Sequence, residues 1–77
     1  METEITLFGQ LAEKAGTQRM LIANAVDTQS LLAEIGNQFP NLADSPVIVA
    51  VNRRTVTENT PLQPGDSVAL MPPFSGG

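Results

Sequence analysis

The residues Pro72-Pro73-Phe74-Ser75-Gly76-Gly77 close this chain in an order that suggests chemistry. A C-terminal carboxyl is ionised at neutral pH, and an ionised carboxylate is a poor electrophile until something activates it. Gly76 and Gly77 carry no β-carbon, so backbone there can approach another molecule closely and adopt conformations that other residues avoid. Pro72 and Pro73 hold the root of the segment extended, at about 3.1 Å per residue in polyproline form. From Pro72 to Gly77 the segment spans roughly 20 Å when extended, enough to enter a pocket of another subunit. The prolines also reduce the entropy lost when such a segment is ordered by a partner. Phe74 supplies an aromatic anchor for a partner groove, and Ser75 separates it from the glycines. The plainer reading is that Pro-Pro only stops edge pairing and the glycines only fray. The order stiff, then anchoring, then slim favours a device, with residues 1–71 as a globular domain and residues 72–77 as its tail.

The rest of the composition offers few other reagents. The 77 residues include no Cys, His, Trp or Tyr, so the chain lacks a thiolate nucleophile, an imidazole base and a disulfide. Metal ligation is left to carboxylates, and none stand at a metal-binding spacing; no Gly-rich phosphate loop is present. A chain of this size buries only about 60% of its unfolded surface, so the fold must come from packing alone. The 42% hydrophobic content is sufficient and argues against disorder. A net charge of −4 disfavours nucleic acid and anionic membranes as partners. No apolar run approaches the ~20 residues of a membrane span, and the acidic start Met1-Glu2-Thr3-Glu4 is unlike a secretory signal. The expectation is a cytoplasmic protein.

The elements that must carry the tail follow from periodicity. Residues 4–8 alternate as a strand with Ile5 and Leu7 on one face and Phe8 on the other. Leu11, Ala12 and Ala15 fit a short helical turn stopped by Gly16. Residues 18–23 form a second strand in which Met20, a core filler, shares a face with Ile22. Asp27 or Thr28 caps a helix whose stripe is Leu31, Leu32, Ile35 and Phe39. Gly36 weakens that helix by roughly 1 kcal/mol relative to Ala, which points to close packing there, and Pro40 ends it. Residues 41–46 read as loop. Val47 to Val51 is a continuous run suited to a strand buried on both sides or nearly so. A solvated turn at Asn52-Arg53-Arg54 leads to a short return strand at residues 55–57. Leu62 reads as core under a long loop. Pro64-Gly65-Asp66 is a turn that Asp66 shapes without acid-base work, and Ser67 to Met71 is the last strand, with Val68 and Leu70 facing away from Ala69 and Met71.

This order, β-β-α-β-β-β with one main helix, gives an α+β fold of two layers, the helix lying across one face of a mixed sheet. The other face meets water or a partner. Because Ile5 and Leu7 take the helix side, Phe8 falls on the open side, where an interface is the favoured reading.

The stretches L7-F-G-Q-L-A-E-K-A-G16, V49-A-V-N52 and P61-L-Q-P-G-D-S-V-A-L-M-P-P-F-S-G-G77 resemble the small subunits of molybdopterin synthases, which are ubiquitin-like sulfur carriers. The similarity covers nearly the whole chain, and the ending is its specific part. The resemblance implies a β-grasp fold of four to five strands. It further implies that no cofactor is held permanently; a partner adenylating enzyme uses ATP to turn the Gly77 carboxylate into an acyl-adenylate, and a sulfur donor then gives a thiocarboxylate. The loaded tail enters the large synthase subunit and donates sulfur to a pterin precursor, forming the dithiolene of molybdopterin. By position, Gly77 is the reacting residue and Gly76 its slim neighbour. Phe8 and Met71 fall on the family's apolar contact patch, which extends to Pro72 and Pro73. Thr55 stands where a larger apolar residue is common. The family assembles as two small and two large subunits, so the chain is a sulfurtransferase component and not an enzyme alone. Two alternatives stand beside this reading. One is a sulfur carrier of another pathway, such as thiamine synthesis, whose members tend to be shorter and usually lack the Pro-Pro. The other is a β-grasp interaction module whose tail does no chemistry.

Overall fold

The computed structural model describes residues 2–73. In chain order the elements are β1 (Glu2–Leu7), α1 (Gln10–Ala15), β2 (Arg19–Ala23), α2 (Thr28–Gln38), α3 (Pro40–Ala43), β3 (Ile48–Val51), β4 (Arg54–Val56) and β5 (Ser67–Met71). The strands form one five-stranded sheet in the order β2-β1-β5-β3-β4. β1 and β5 run parallel at its centre, and the other neighbours are antiparallel. The sheet is mixed and α2 covers one face, the two-layer α+β arrangement of a β-grasp domain.

Strict alternation produces the two faces. Ile5 and Leu7 of β1 pair with Val68 and Leu70 of β5, and those with Val51 and Val49 of β3. These side chains are buried with Ile22 against Leu31 and Ile35 of α2. Each such aliphatic side chain contributes about 1.5–3 kcal/mol on full burial, which is how a domain without a disulfide stays folded. Met20 is half-buried against this core, and Leu62 closes it under the long loop. The run at β3 is buried almost through both faces, because Val49 and Val51 face the helix and Ala50, on the other side, is only 5% exposed.

Helix α2 starts where a cap was expected. Asp27 Oδ1 accepts a 2.8 Å hydrogen bond from the Ser30 backbone N–H, and the Asp27 N–H donates to Ser30 Oγ. This reciprocal pair satisfies two donors that a helix start would otherwise leave free. The far end corrects two readings. Phe39 is not within the helix but caps it, half-buried against the core. Residues 40–43 are not loop but the short helix α3: the proline that ends α2 serves at the first position of the next turn, where its missing N–H costs nothing. Leu42 of α3 is buried. The reason for Gly36 is then clear, since a β-carbon on it would lie 3.4 Å from both the Cα and the Cβ of Ala43.

The β3–β4 hairpin turns on Asn52 and Arg53, at φ 51° and 71°. A two-residue turn of this hand matches the twist of the strands it joins. Strand β4 accordingly begins at Arg54, one residue earlier than the alternation indicates.

Candidate functional site: the tail root and the open face

The tail leaves from β5, the middle strand of the sheet. The Phe8 N–H donates to the Leu70 carbonyl at 3.1 Å, extending the parallel ladder one residue beyond β1. Register then sets Phe8 beside Met71, and Met71 pairs with Ile48 across the next strand. Alternation puts all three on the face away from α2. Phe8 is 47% exposed, while Met71 and Ile48 are half-buried. Behind them lie Thr6, Ala69, Ala50 and Thr55 in one cross-strand row. The small side chains of that row leave the Phe8 ring standing above its surroundings.

Pro72 is held at the root. Gly9, at φ 57°, brings its backbone so near that a β-carbon there would sit 3.2 Å from Pro72 Cγ. A positive φ and a close approach both require glycine at this position. Pro72 is half-buried and Pro73 exposed. On the α1 side, Gln10, Leu11, Lys14, Ser45 and Pro46 join the two prolines around a shallow cleft of about 280 Å³. Lys14 Nζ donates to Ser45 Oγ at 2.9 Å across its rim.

The structure thus brings Phe8, Met71, Pro72 and Pro73 to one end of the central strands. Phe74, Ser75, Gly76 and Gly77 lie outside the described residues. Three members of the surface were not singled out by sequence: Gly9, Ile48 and Leu21. Leu21 is 58% exposed and pairs with Glu4 on the same open face. Pairing register reveals Ile48, which sits in an apolar run that looks uniformly buried; alternation with Met20 and Ile22 already turns Leu21 outward, and Gly9 emerges from its approach to Pro72. Thr55 is exposed, two strands from Met71.

The other end of β5 is built differently. Asp66 Oδ1 accepts from Asn52 Nδ2 and Oδ2 from the Gln63 N–H, both at 2.8 Å. These bonds, Asn52's first, hold the Asp66 carboxyl below the usual carboxylate range. Asn52 Oδ1 in turn accepts from the Ser67 N–H. Asp66 shapes this turn, as its place in the sequence indicates. Asp27 is lowered likewise by the Ser30 N–H, then the Ser30 hydroxyl, then Asn59. Neither aspartate has the raised value of an acid catalyst. Among the described residues no acidic cluster could hold a metal ion, and no helix is long and apolar enough to cross a membrane.

Comparison with known proteins agrees with this geometry. Residues 5–77 match the ThiS family. The chain is 31% identical to a molybdopterin synthase sulfur carrier subunit of Arabidopsis thaliana, covering 100% of this chain and 84% of that protein. Among solved structures, SAMP1 from Haloferax volcanii superposes with a TM-score of 0.86 at 26% identity, covering 100% of both chains. A chain from the protein–protein complex of subunits 1 and 2 of the molybdopterin-converting factor of Helicobacter pylori 26695 gives a TM-score of 0.74 at 29% identity, again with 100% of both chains covered.

Proposed function

This chain belongs to the ThiS family, and from that premise we propose that it is the sulfur-carrier subunit of a molybdopterin synthase. The observation that carries the reading is the exit of the tail from the middle strand of the sheet, beside an exposed Phe8 and over a glycine that accommodates Pro72. Pro72 and Pro73 lie next to an apolar surface, so one partner can hold that surface and receive the segment that follows. Relatives bearing the name of this subunit, and a structural neighbour solved together with a second subunit, support the same reading.

The reaction falls on Gly77. A carboxylate oxygen attacks the α-phosphorus of ATP on a partner adenylating enzyme, pyrophosphate leaves, and the acyl-adenylate is now electrophilic. A sulfur donor displaces AMP and leaves a thiocarboxylate. That sulfur passes to a pterin precursor inside the large synthase subunit. The adenylating enzyme, the sulfur donor and the large subunit are the partners this scheme requires, with two carriers and two large subunits in the assembly. ATP is a reactant at the partner's site, and the carrier retains no cofactor. The chain has no Cys and so no thiol to carry sulfur, a composition that fits a thiocarboxylate at Gly77. Gly76 keeps the approach to that end slim, and Phe74 and Ser75 lie between it and the prolines.

Intact-mass measurement tests the scheme. After incubation with ATP, an adenylating enzyme and a sulfur donor, the full chain gains one sulfur in place of one oxygen. Deleting Gly77 abolishes that exchange and leaves the thermal midpoint unchanged. An unaltered mass, with the enzymes shown active on a known carrier, refutes the scheme. Capture of a thiazole-forming enzyme in place of a large synthase subunit assigns the carrier to the thiamine type.

A further inference from the structure

Strand β4 closes the sheet on the side away from β2, and among the described residues no strand pairs with its outer edge. The two-residue turn makes Val51 and Arg54 a hydrogen-bonded pair, so alternation turns Val56 inward as well. Thr55 then aims its N–H and C=O groups outward, and the same alternation carried one step past the strand would turn those of Thr57 outward too. Beside this edge runs a groove of about 740 Å³ between β4 and the start of α2. Leu32, Val47, Val49 and Val56 supply its apolar lining. Such an edge and groove together are a template for one more strand.

The charges along the edge indicate which strand. Residues 54–58 read Arg-Thr-Val-Thr-Glu, with a cation at one end, an anion at the other and a valine at the centre; β4 itself ends at Val56 and the chain bends at Glu58, so the seam extends the strand by two residues. Read backwards against itself, the segment is complementary. A two-fold axis at Val56 sets Arg54 of one copy opposite Glu58 of the second, twice. It sets Thr55 opposite Thr57, again twice, and these are the residues whose backbone groups point outward and can exchange hydrogen bonds. The bonded and non-bonded positions of an antiparallel ladder therefore fall where the hairpin requires them. Val56 meets its own copy at the axis, and both grooves are covered from the same side. Arg54 and Glu58 are exposed, and among the described residues the one ion pair is Arg19 with Glu4, so neither side chain is in an ion pair there.

We propose that this protein self-associates through β4, two copies joining their sheets antiparallel across Val56 with Arg54–Glu58 pairs at both ends of the seam. The interface is isologous and closes on itself. It goes beyond the sulfur-carrier reading and does not depend on it. The seam lies two strands from β5, so Phe8 and the root of the tail remain uncovered in both copies.

Sedimentation equilibrium of the full chain tests this. The expected result is a monomer–dimer equilibrium with Kd below about 1 mM. Arg54→Glu or Glu58→Arg places like charges opposite each other twice and weakens dimerisation about tenfold or more. The double variant, Arg54→Glu with Glu58→Arg, restores it. Both positions are exposed, and far-UV circular dichroism confirms that each variant is folded. A monomer throughout the concentration range overturns the proposal. So does a dimer that is indifferent to the single reversals, or one that the double variant fails to restore. Protection of the Thr55 and Thr57 amides only when an extended partner peptide is added also overturns it, by giving the edge a different occupant.

Discussion

The two ends of β5 solve the same problem, where the chain enters or leaves the sheet, by opposite means. At the entering end, Asn52, Gln63, Asp66 and Ser67 close a set of hydrogen bonds, one between side chains and two from backbone N–H groups to side chains. Beside β4, Asp27, Thr28, Asn59 and Thr60 stitch the start of α2 to the long loop in the same manner. Asn59 Oδ1 accepts from the Gln29 N–H at 2.8 Å, and the Thr28 hydroxyl accepts from the Thr60 N–H at 3.0 Å. At the leaving end, the contacts around Met71 and Pro72 are apolar: Phe8 beside one, Gly9 beneath the other. Hydrogen bonds fix direction and register, whereas apolar contacts tolerate sliding and can be exchanged for a partner's. The difference separates a part of the domain fixed by hydrogen bonds from a part whose contacts a partner's surface could replace.

Substitution at the leaving end should break that contrast most strongly at Gly9. Gly9→Val forces a β-branched residue into φ 57° and drives its Cβ to 3.2 Å from Pro72 Cγ. Strain of this kind costs about 1–3 kcal/mol, read as a lower midpoint in urea unfolding with an unchanged slope. The same variant shifts the tail root, so sulfur loading falls by more than the lost stability explains. If the Gly9→Val protein unfolds at the wild-type midpoint, the bracing of Pro72 has no energetic weight.

Acid should act on the hydrogen-bonded turns instead. The carboxyls of Asp27 and Asp66 are held below their ordinary values by hydrogen bonds present only in the fold. A carboxyl lowered on folding stabilises the fold above its unfolded value, and that contribution is lost as pH falls through the folded one. Stability is therefore flat from neutrality down to the ordinary carboxylate range and declines below about pH 4. Asp66→Asn flattens the decline, and Phe8 variants leave it unaltered. A decline of equal steepness in the Asp66→Asn protein would place the acid-labile groups elsewhere.

How far this contrast was visible in the sequence differs between the ends. Alternation in β1 alone put Phe8 opposite Ile5 and Leu7, because a strand's period admits no other choice. The cap was visible to within one residue, Asp27 or Thr28, because both types cap helices, and the structure uses Asp27. Asn59 was not, since it reaches Asp27 and Gln29 across about 30 residues of chain and nothing local marks it. Helix α3 escaped for a related reason: four residues with one buried leucine make too little periodicity to register. Gly36 gave notice of close packing without naming Ala43. Ile48 was concealed by its own strand, whose apolar run hides which residues border a half-open face. Local chemistry was legible, and contacts set by topology were not.

The smallest effect on stability, and the sharpest on the comparison, is expected at Phe8. The ring is 47% exposed and on the face that α2 does not cover, so Phe8→Asp removes little buried area. Surface substitutions of this kind change stability by no more than about 0.5 kcal/mol. The same aspartate would be buried uncompensated wherever a partner closes over Met71 and Pro72, and an unpaired charge there is costly. Wild-type unfolding together with lost binding to a large synthase subunit is the expected pair of results. Loss of both would show the ring to be part of the core, and loss of neither would separate the tail's exit from the surface beside it. In that last case the leaving end would have no claim to be a docking surface, and its apolar contacts would be another way of staying folded.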